Sequence, residues 1–196
     1  MLKKTIVVAL LVVLGAAAHV TAAGPRLLAR FDGGIGVDPV SSVAFPTISS
    51  SPTGQTFENV TRNFVRGVRS SFSIWRIAGL KAAVDTEGRI QVVGTGLVLG
   101  GGDQIGQSLG LNVFATLICE TEAPFVELNS TDLTTEAGAL AGTVPLDANG
   151  DFRIDGTLRS SAGDLVPSTC DKPVLLIRAL PTGGWLAAAI PRFDKD

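Results

Sequence analysis

Leu111-Asn112-Val113-Phe114-Ala115-Thr116-Leu117-Ile118-Cys119 is the stretch whose reading decides the fold. Successive side chains of an extended chain point to opposite faces, so Leu111, Val113, Ala115, Leu117 and Cys119 share one. That pattern predicts a strand with its Cys turned inward. Upstream, Leu80-Lys81-Ala82-Ala83-Val84 and Arg89-Ile90-Gln91-Val92-Val93 flank a turn at Asp85-Thr86-Glu87-Gly88. Leu80, Ala82 and Val84 then face the core opposite Ile90 and Val92. Downstream, Asp147-Ala148-Asn149-Gly150-Asp151 carries the Asn-Gly pair favoured in hairpin turns, and Phe152, Ile154 and Leu158 continue from it.

Further along, Val174 to Ala179 and Trp185 to Ile190 are joined by Pro181-Thr182-Gly183-Gly184. Their near-continuous apolarity predicts central strands buried on both faces. Leu27 to Phe31 and Phe72 to Ile77 are further strand candidates. The 23 Gly and scattered Pro suit many short strands and turns. Helical signals are few. Leu133 to Leu140 predicts one short helical turn capped by Asp132 or Ser130, and the Ser/Pro/Gly-rich stretch Thr47 to Thr56 predicts a loop. No repeat or linker divides the chain. The expectation is one all-β domain, an antiparallel sandwich or flattened barrel.

The N-terminus has the layout of a secretory signal peptide over 1–22. Met1-Leu2-Lys3-Lys4 is positive, Thr5 to Ala18 is uncharged, and Ala18-His19-Val20-Thr21-Ala22-Ala23 offers small residues for cleavage after Ala22 or Ala23. The apolar run is about 14 residues, short of the roughly 20 that span a bilayer. No later stretch qualifies as a transmembrane helix, and no Cys follows the cut to accept a lipid. A secreted or periplasmic protein is expected, with 23–196 forming the single β-rich domain. In that compartment Cys119 and Cys170 are most simply a disulfide. The loop of about 50 residues that it closes would contribute on the order of 4 kcal/mol.

Loss of the leader removes His19 and Met1, the only residues of their kinds, and the chain has no Tyr. Without His, the mature chain cannot build a Ser-His-Asp or Cys-His arrangement. It also lacks imidazole ligands for catalytic zinc, and the His and Met ligands of blue copper and haem. No cofactor is expected. Lys3 and Lys4 leave too, which takes the 16 basic residues to 14 against 18 acidic. An acidic chain is a poor general partner for nucleic acid.

Four local patterns invite chemistry. The Gly-rich run Gly94 to Gly106 lacks the third Gly of a dinucleotide fingerprint, where Leu99 stands, and the Lys-Ser/Thr of a phosphate loop. It is read as a strand ending in a turn. Asp147, Asn149 and Asp151 begin like a calcium loop, but Phe152 and Leu158 stand where Gly and the bidentate Glu belong, so a hairpin is read there. Glu120, Glu122 and Glu127 follow the best strand and are the carboxylates available for glycosidase chemistry. Arg62, Arg66, Arg69 and Arg76, interleaved with Phe64, Phe72 and Trp75, form a candidate anion-binding patch for a glycan or surface. Charges that protect an exposed sheet edge account for the same residues.

Arg30-Phe31-Asp32-Gly33-Gly34-Ile35-Gly36-Val37, Gly94 to Gly106, Gly150-Asp151-Phe152-Arg153-Ile154-Asp155 and Pro173-Val174-Leu175-Leu176-Ile177-Arg178 resemble segments of small exported proteins from environmental bacteria. Phe31-x-Gly33 and Asp38-Pro39-Val40 are similar to chordin-type domains, which implies a secreted β-sandwich. The His-containing motif of those domains has no counterpart in this chain, so the resemblance assigns no site residue. The expected function is a non-enzymatic binding or structural module of the envelope or medium. The alternative is a carboxylate-based hydrolase of extracellular polysaccharide.

Overall fold

A computed structural model describes residues 24–41, 48–50, 56–58, 61–131 and 141–193. The expected leader over 1–22 and the helical turn at Leu133 to Leu140 lie outside the described residues. Within them every regular element is a strand: β1 (Leu27–Gly36), β2 (Val40–Ser41), β3 (Ile48–Ser50), β4 (Thr56–Glu58), β5 (Thr61–Arg62), β6 (Phe64–Val65), β7 (Val68–Arg69), β8 (Trp75–Arg76), β9 (Gly79–Asp85), β10 (Arg89–Thr95), β11 (Val98–Leu99), β12 (Asn112–Ile118), β13 (Leu128–Asn129), β14 (Val144–Pro145), β15 (Phe152–Thr157), β16 (Val174–Ala179) and β17 (Trp185–Pro191).

Nine of these make one antiparallel sheet in the order β13-β12-β16-β17-β1-β9-β10-β15, with β14 also on β12. Its two ends meet. Asn129 of β13 and Arg159, just past β15, form an antiparallel bridge, so the sheet is a nearly closed barrel.

The pleat decides which residues fill it. Leu80, Ala82, Val84, Ile90 and Val92 are buried as the hairpin pattern requires, and so are Val113, Ala115 and Leu117 on β12. Phe31, Phe152, Ile154, Leu175 and Ile177 complete the filling. Each Val, Leu, Ile or Phe side chain so removed from water contributes about 1.5–3 kcal/mol. Where β17 crosses, the inward positions are small. Ala189 faces Gly34 and Ala187 faces Gly36, which suits the taper of a narrow barrel. Glycine is obligatory at Gly94, directly opposite Phe152. A Cβ there would run into the Phe152 ring.

The two central strands β16 and β17 are buried on both faces, as their composition predicts. So is β12, where Phe114, Thr116 and Ile118 point outward yet are inaccessible. The long excursion between β1 and β9 lies against this side. Ser70 bridges Trp185 in parallel, Ser71 N–H donates to Trp185 C=O at 2.9 Å, and Val37 N–H donates to Leu186 C=O at 3.0 Å.

Two expectations are corrected within the excursion. Phe72 to Ile77 is extended as a strand only over Trp75–Arg76, because Ser70 and Ser71 are already engaged by β17. The stretch Thr47 to Thr56 is not all loop, since Ile48–Ser50 pairs with Thr56–Glu58. Cys119 and Cys170 are bonded, Cα to Cα 5.0 Å.

Candidate functional site

The arginine cluster sits on this excursion. Phe64 pairs with Arg69 and Val65 with Val68 across a two-residue turn. Both turn residues have positive φ, 46° at Arg66 and 82° at Gly67, the geometry that matches strand twist in a hairpin. The Arg66 side chain reaches across the disulfide. It donates to Ile118 C=O at 2.8 Å and to Lys172 C=O at 2.6 Å, next to Cys119 and two residues past Cys170. Burial pulls its guanidinium below the usual value, with Glu120 opposing.

Arg62 donates to Ser70 C=O at 2.6 Å and to Ser71 C=O at 3.2 Å, and stacks 4.2 Å over the Phe72 ring. Arg69 donates to Thr182 C=O at 3.1 Å. Carbonyl partners fix these guanidiniums without neutralising them. Among the described residues only Arg76 of the four forms an ion pair, with Asp38 at 3.0 Å. Phe64 and Phe72 beside them are 59% and 68% exposed. Trp75, by contrast, is a core residue.

The carboxylates after β12 separate into different roles. Glu120 accepts the Val126 N–H at 3.1 Å and ties its loop, while Glu122 is exposed. Glu127 is engaged by Arg178, a buried guanidinium on β16. Arg178 also donates through Nε to Gly183 C=O at 2.7 Å and lies 5.3 Å from the Phe114 ring. Thr116 Oγ1 donates to Asn129 Oδ1 at 2.6 Å beside it.

Glu127 borders an open cleft of about 930 Å³ at the barrel seam. Phe125, Asn129, Ser130, Arg159 and Asp164 line it as well. Much of that polarity is spent internally: Ser130 Oγ accepts the Ala115 N–H at 3.0 Å, and Asp164 accepts from Ser160 Oγ at 2.8 Å. Sequence reading named Glu127 but missed Arg178, Arg159 and Asp164. The Glu127 and Arg178 signal is weak because the partners are 51 residues apart.

Asp147 Oδ1 accepts the N–H of Asn149 and of Asp151, both at 2.8 Å, and Asp151 Oδ1 accepts the Gly96 N–H at 2.9 Å. Gly150 has φ 78°, and a Cβ there would collide with the Leu97 backbone. These residues close the turn between β14 and β15. In the Gly-rich run, the strand ends at Thr95, and Val98–Leu99 pairs with β8. Gly106 N–H donates back to Leu99 C=O at 2.8 Å, which closes a turn.

No family model, curated protein or solved structure matches the chain. Among the described residues, no helix is long and apolar enough to cross a membrane.

Proposed function

We propose that the protein is an exported, non-enzymatic binding module that docks on an anionic glycan or surface through Arg62, Arg66 and Arg69. The observation that carries this reading is three guanidiniums held by main-chain carbonyls, none in a salt bridge among the described residues although Glu120 lies within electrostatic reach of Arg66, beside exposed Phe64 and Phe72. Held cations lose little conformational freedom on binding, and aromatic faces suit sugar rings. The disulfide is consistent with export.

Retention on immobilised heparin at low salt tests it. Arg69→Ser with Phe72→Ser should abolish retention, and salt should too, since the Debye length falls from ~10 Å at 0.1 M to ~3 Å at 1 M. Retention unaffected by either treatment overturns the reading. Arg66 is a poor probe here, because it also secures the disulfide crossing.

A second reading, a carboxylate-based polysaccharide hydrolase, draws on Glu127 and Asp164 lining one cleft. Release of reducing sugar from envelope polysaccharides, lost in Glu127→Gln and Asp164→Asn, would favour it. The Arg178 contact weighs against Glu127 as a catalytic carboxylate, because the ion pair already engages it.

A further inference from the structure

The outer face of β1, β9, β10 and β15 brings together cations that are far apart in the chain. Register sets two rows. Asp32, Lys81, Val93 and Arg153 lie side by side across the four strands, and Arg30, Ala83, Gln91 and Asp155 form the next row. All eight are exposed, as alternation with the buried Phe31, Ala82, Val92 and Ile154 requires. The short Ala83 leaves a depression of about 250 Å³ bordered by Arg30, Lys81, Gln91, Val93 and Arg153, with the Asp32 carboxylate also on its rim.

Charge on this face is unbalanced. Asp32 stands directly opposite Lys81 but contacts Arg192 at 3.3 Å instead. Asp155 is 4.0 Å from Arg153 and 3.5 Å from the Gln91 amide. Among the described residues, Arg30 and Lys81 therefore have no side-chain partner. Arg30, Lys81, Arg153 and Arg192 outnumber Asp32 and Asp155 on a face of a chain whose net charge is −2. Opposite charges paired across strands would be the ordinary way to stabilise such a face. Here two cations flank a dimple, with an amide donor on its far side.

We propose that this depression is a binding site for a tetrahedral oxyanion carried on a polyanion, with Arg30, Lys81 and Arg153 as its cations and Gln91 as a neutral donor. A guanidinium fork and an ammonium satisfy such a group by charge-assisted hydrogen bonds, and the strand register fixes the spacing of their backbone positions. The site is separate from the Arg62 to Arg69 surface and does not depend on it.

Heparin and polyphosphate, titrated at low salt into the disulfide-intact protein, distinguish a sulfate from a phosphate source. The amide signals of Arg30, Ala83 and Gln91 should shift, and Arg30→Gln with Lys81→Gln should weaken binding of the preferred polymer roughly 5- to 10-fold. That is the order expected for losing two solvent-exposed charge contacts. Both side chains are exposed and unpartnered, so the melting temperature should be unchanged. Unshifted amides, or equal affinity in the double variant, overturn the site. If only Arg69→Ser with Phe72→Ser abolishes binding, this site fails and the arginine-face reading stands; if only Arg30→Gln with Lys81→Gln weakens it, the reverse holds.

Discussion

Asn129 and Arg159 exchange main-chain hydrogen bonds in both directions, 2.8 Å from the Asn129 N–H and 3.0 Å from the Arg159 N–H. Asn129 lies in one edge strand of the sheet and Arg159 follows the other, so this pair joins the sheet's ends. Open edges expose unpaired donors and acceptors that template association with other chains. The bridge removes part of that liability, and both of its residues line the seam cleft.

Arg159→Pro deletes one N–H of the bridge and leaves the Asn129 carbonyl without its donor. The expected loss is about 1–3 kcal/mol in urea denaturation. Arg159→Gln keeps the backbone donor and should stay within about 0.5 kcal/mol of the parent. Equal losses in the two variants would assign the effect to the guanidinium instead of the bridge.

The disulfide and Arg66 act on the same crossing, because the guanidinium spans the carbonyls on either side of Cys119 and Cys170. Denatured, unreduced protein should contain no titratable thiol; two thiols would contradict the bond. Replacing both cysteines with Ala should cost up to about 4 kcal/mol. Arg66→Met should cost about 1–3 kcal/mol by leaving two acceptors unmet.

Glu127→Gln leaves the buried Arg178 guanidinium without its counter-charge. The carboxylate is itself 38% exposed, so the penalty should be about 1–3 kcal/mol, below that of a fully buried pair. Glu127→Leu with Arg178→Met should recover much of it, since apolar replacements of buried pairs are often tolerated. A double variant no better than Glu127→Gln would show that Arg178 matters through Gly183 and Phe114 instead.

Asp147 uses one oxygen on two turn amides, which makes it a turn closer. Asp147→Ala should lower the melting temperature by the same amount with calcium as with chelator. A rise of several degrees on adding calcium to the parent protein, absent in the variant, would convert the turn to an ion site.

The inward pattern of the barrel was legible because alternation is local. Leu80, Ala82, Val84, Ile90 and Val92 needed only their own hairpin to be placed, and Val113, Ala115 and Leu117 only their own strand. The outward burial of Phe114, Thr116 and Ile118 was not, since it depends on partners distant in sequence: Arg178 lies against Phe114 and Thr116, and Arg66 reaches the Ile118 carbonyl. The arginine cluster was visible as a composition, whereas its acceptors at Ile118, Lys172 and Thr182 lie 52 to 113 residues away. Arg30, Lys81 and Arg153 are isolated in sequence and become neighbours only through strand register. No window along the chain carries that signal.

Asp85 supplies the pH dependence that can be read from one turn. Desolvation pushes its carboxyl up, but the Arg89 side chain and the N–H groups of Arg89 and Glu87 outweigh it, so the folded value lies below the ordinary one. The contacts are 2.8 Å to Arg89 Nε, 3.0 Å to Arg89 N and 2.9 Å to Glu87 N. A carboxyl depressed by folding stabilises the protein above its unfolded value, about 3.9. That contribution is lost as pH falls through the lower folded value. The group is near the surface, so the effect should be small, about 0.5–1 kcal/mol. Asp85→Asn should therefore be less stable than the parent at pH 7, and the gap should close in acid as the pH falls through the lowered folded value. Urea midpoints at pH 7 and in acid measure it, and a gap that stays constant would show that the turn depends on the shape of Asp85 and not on its charge.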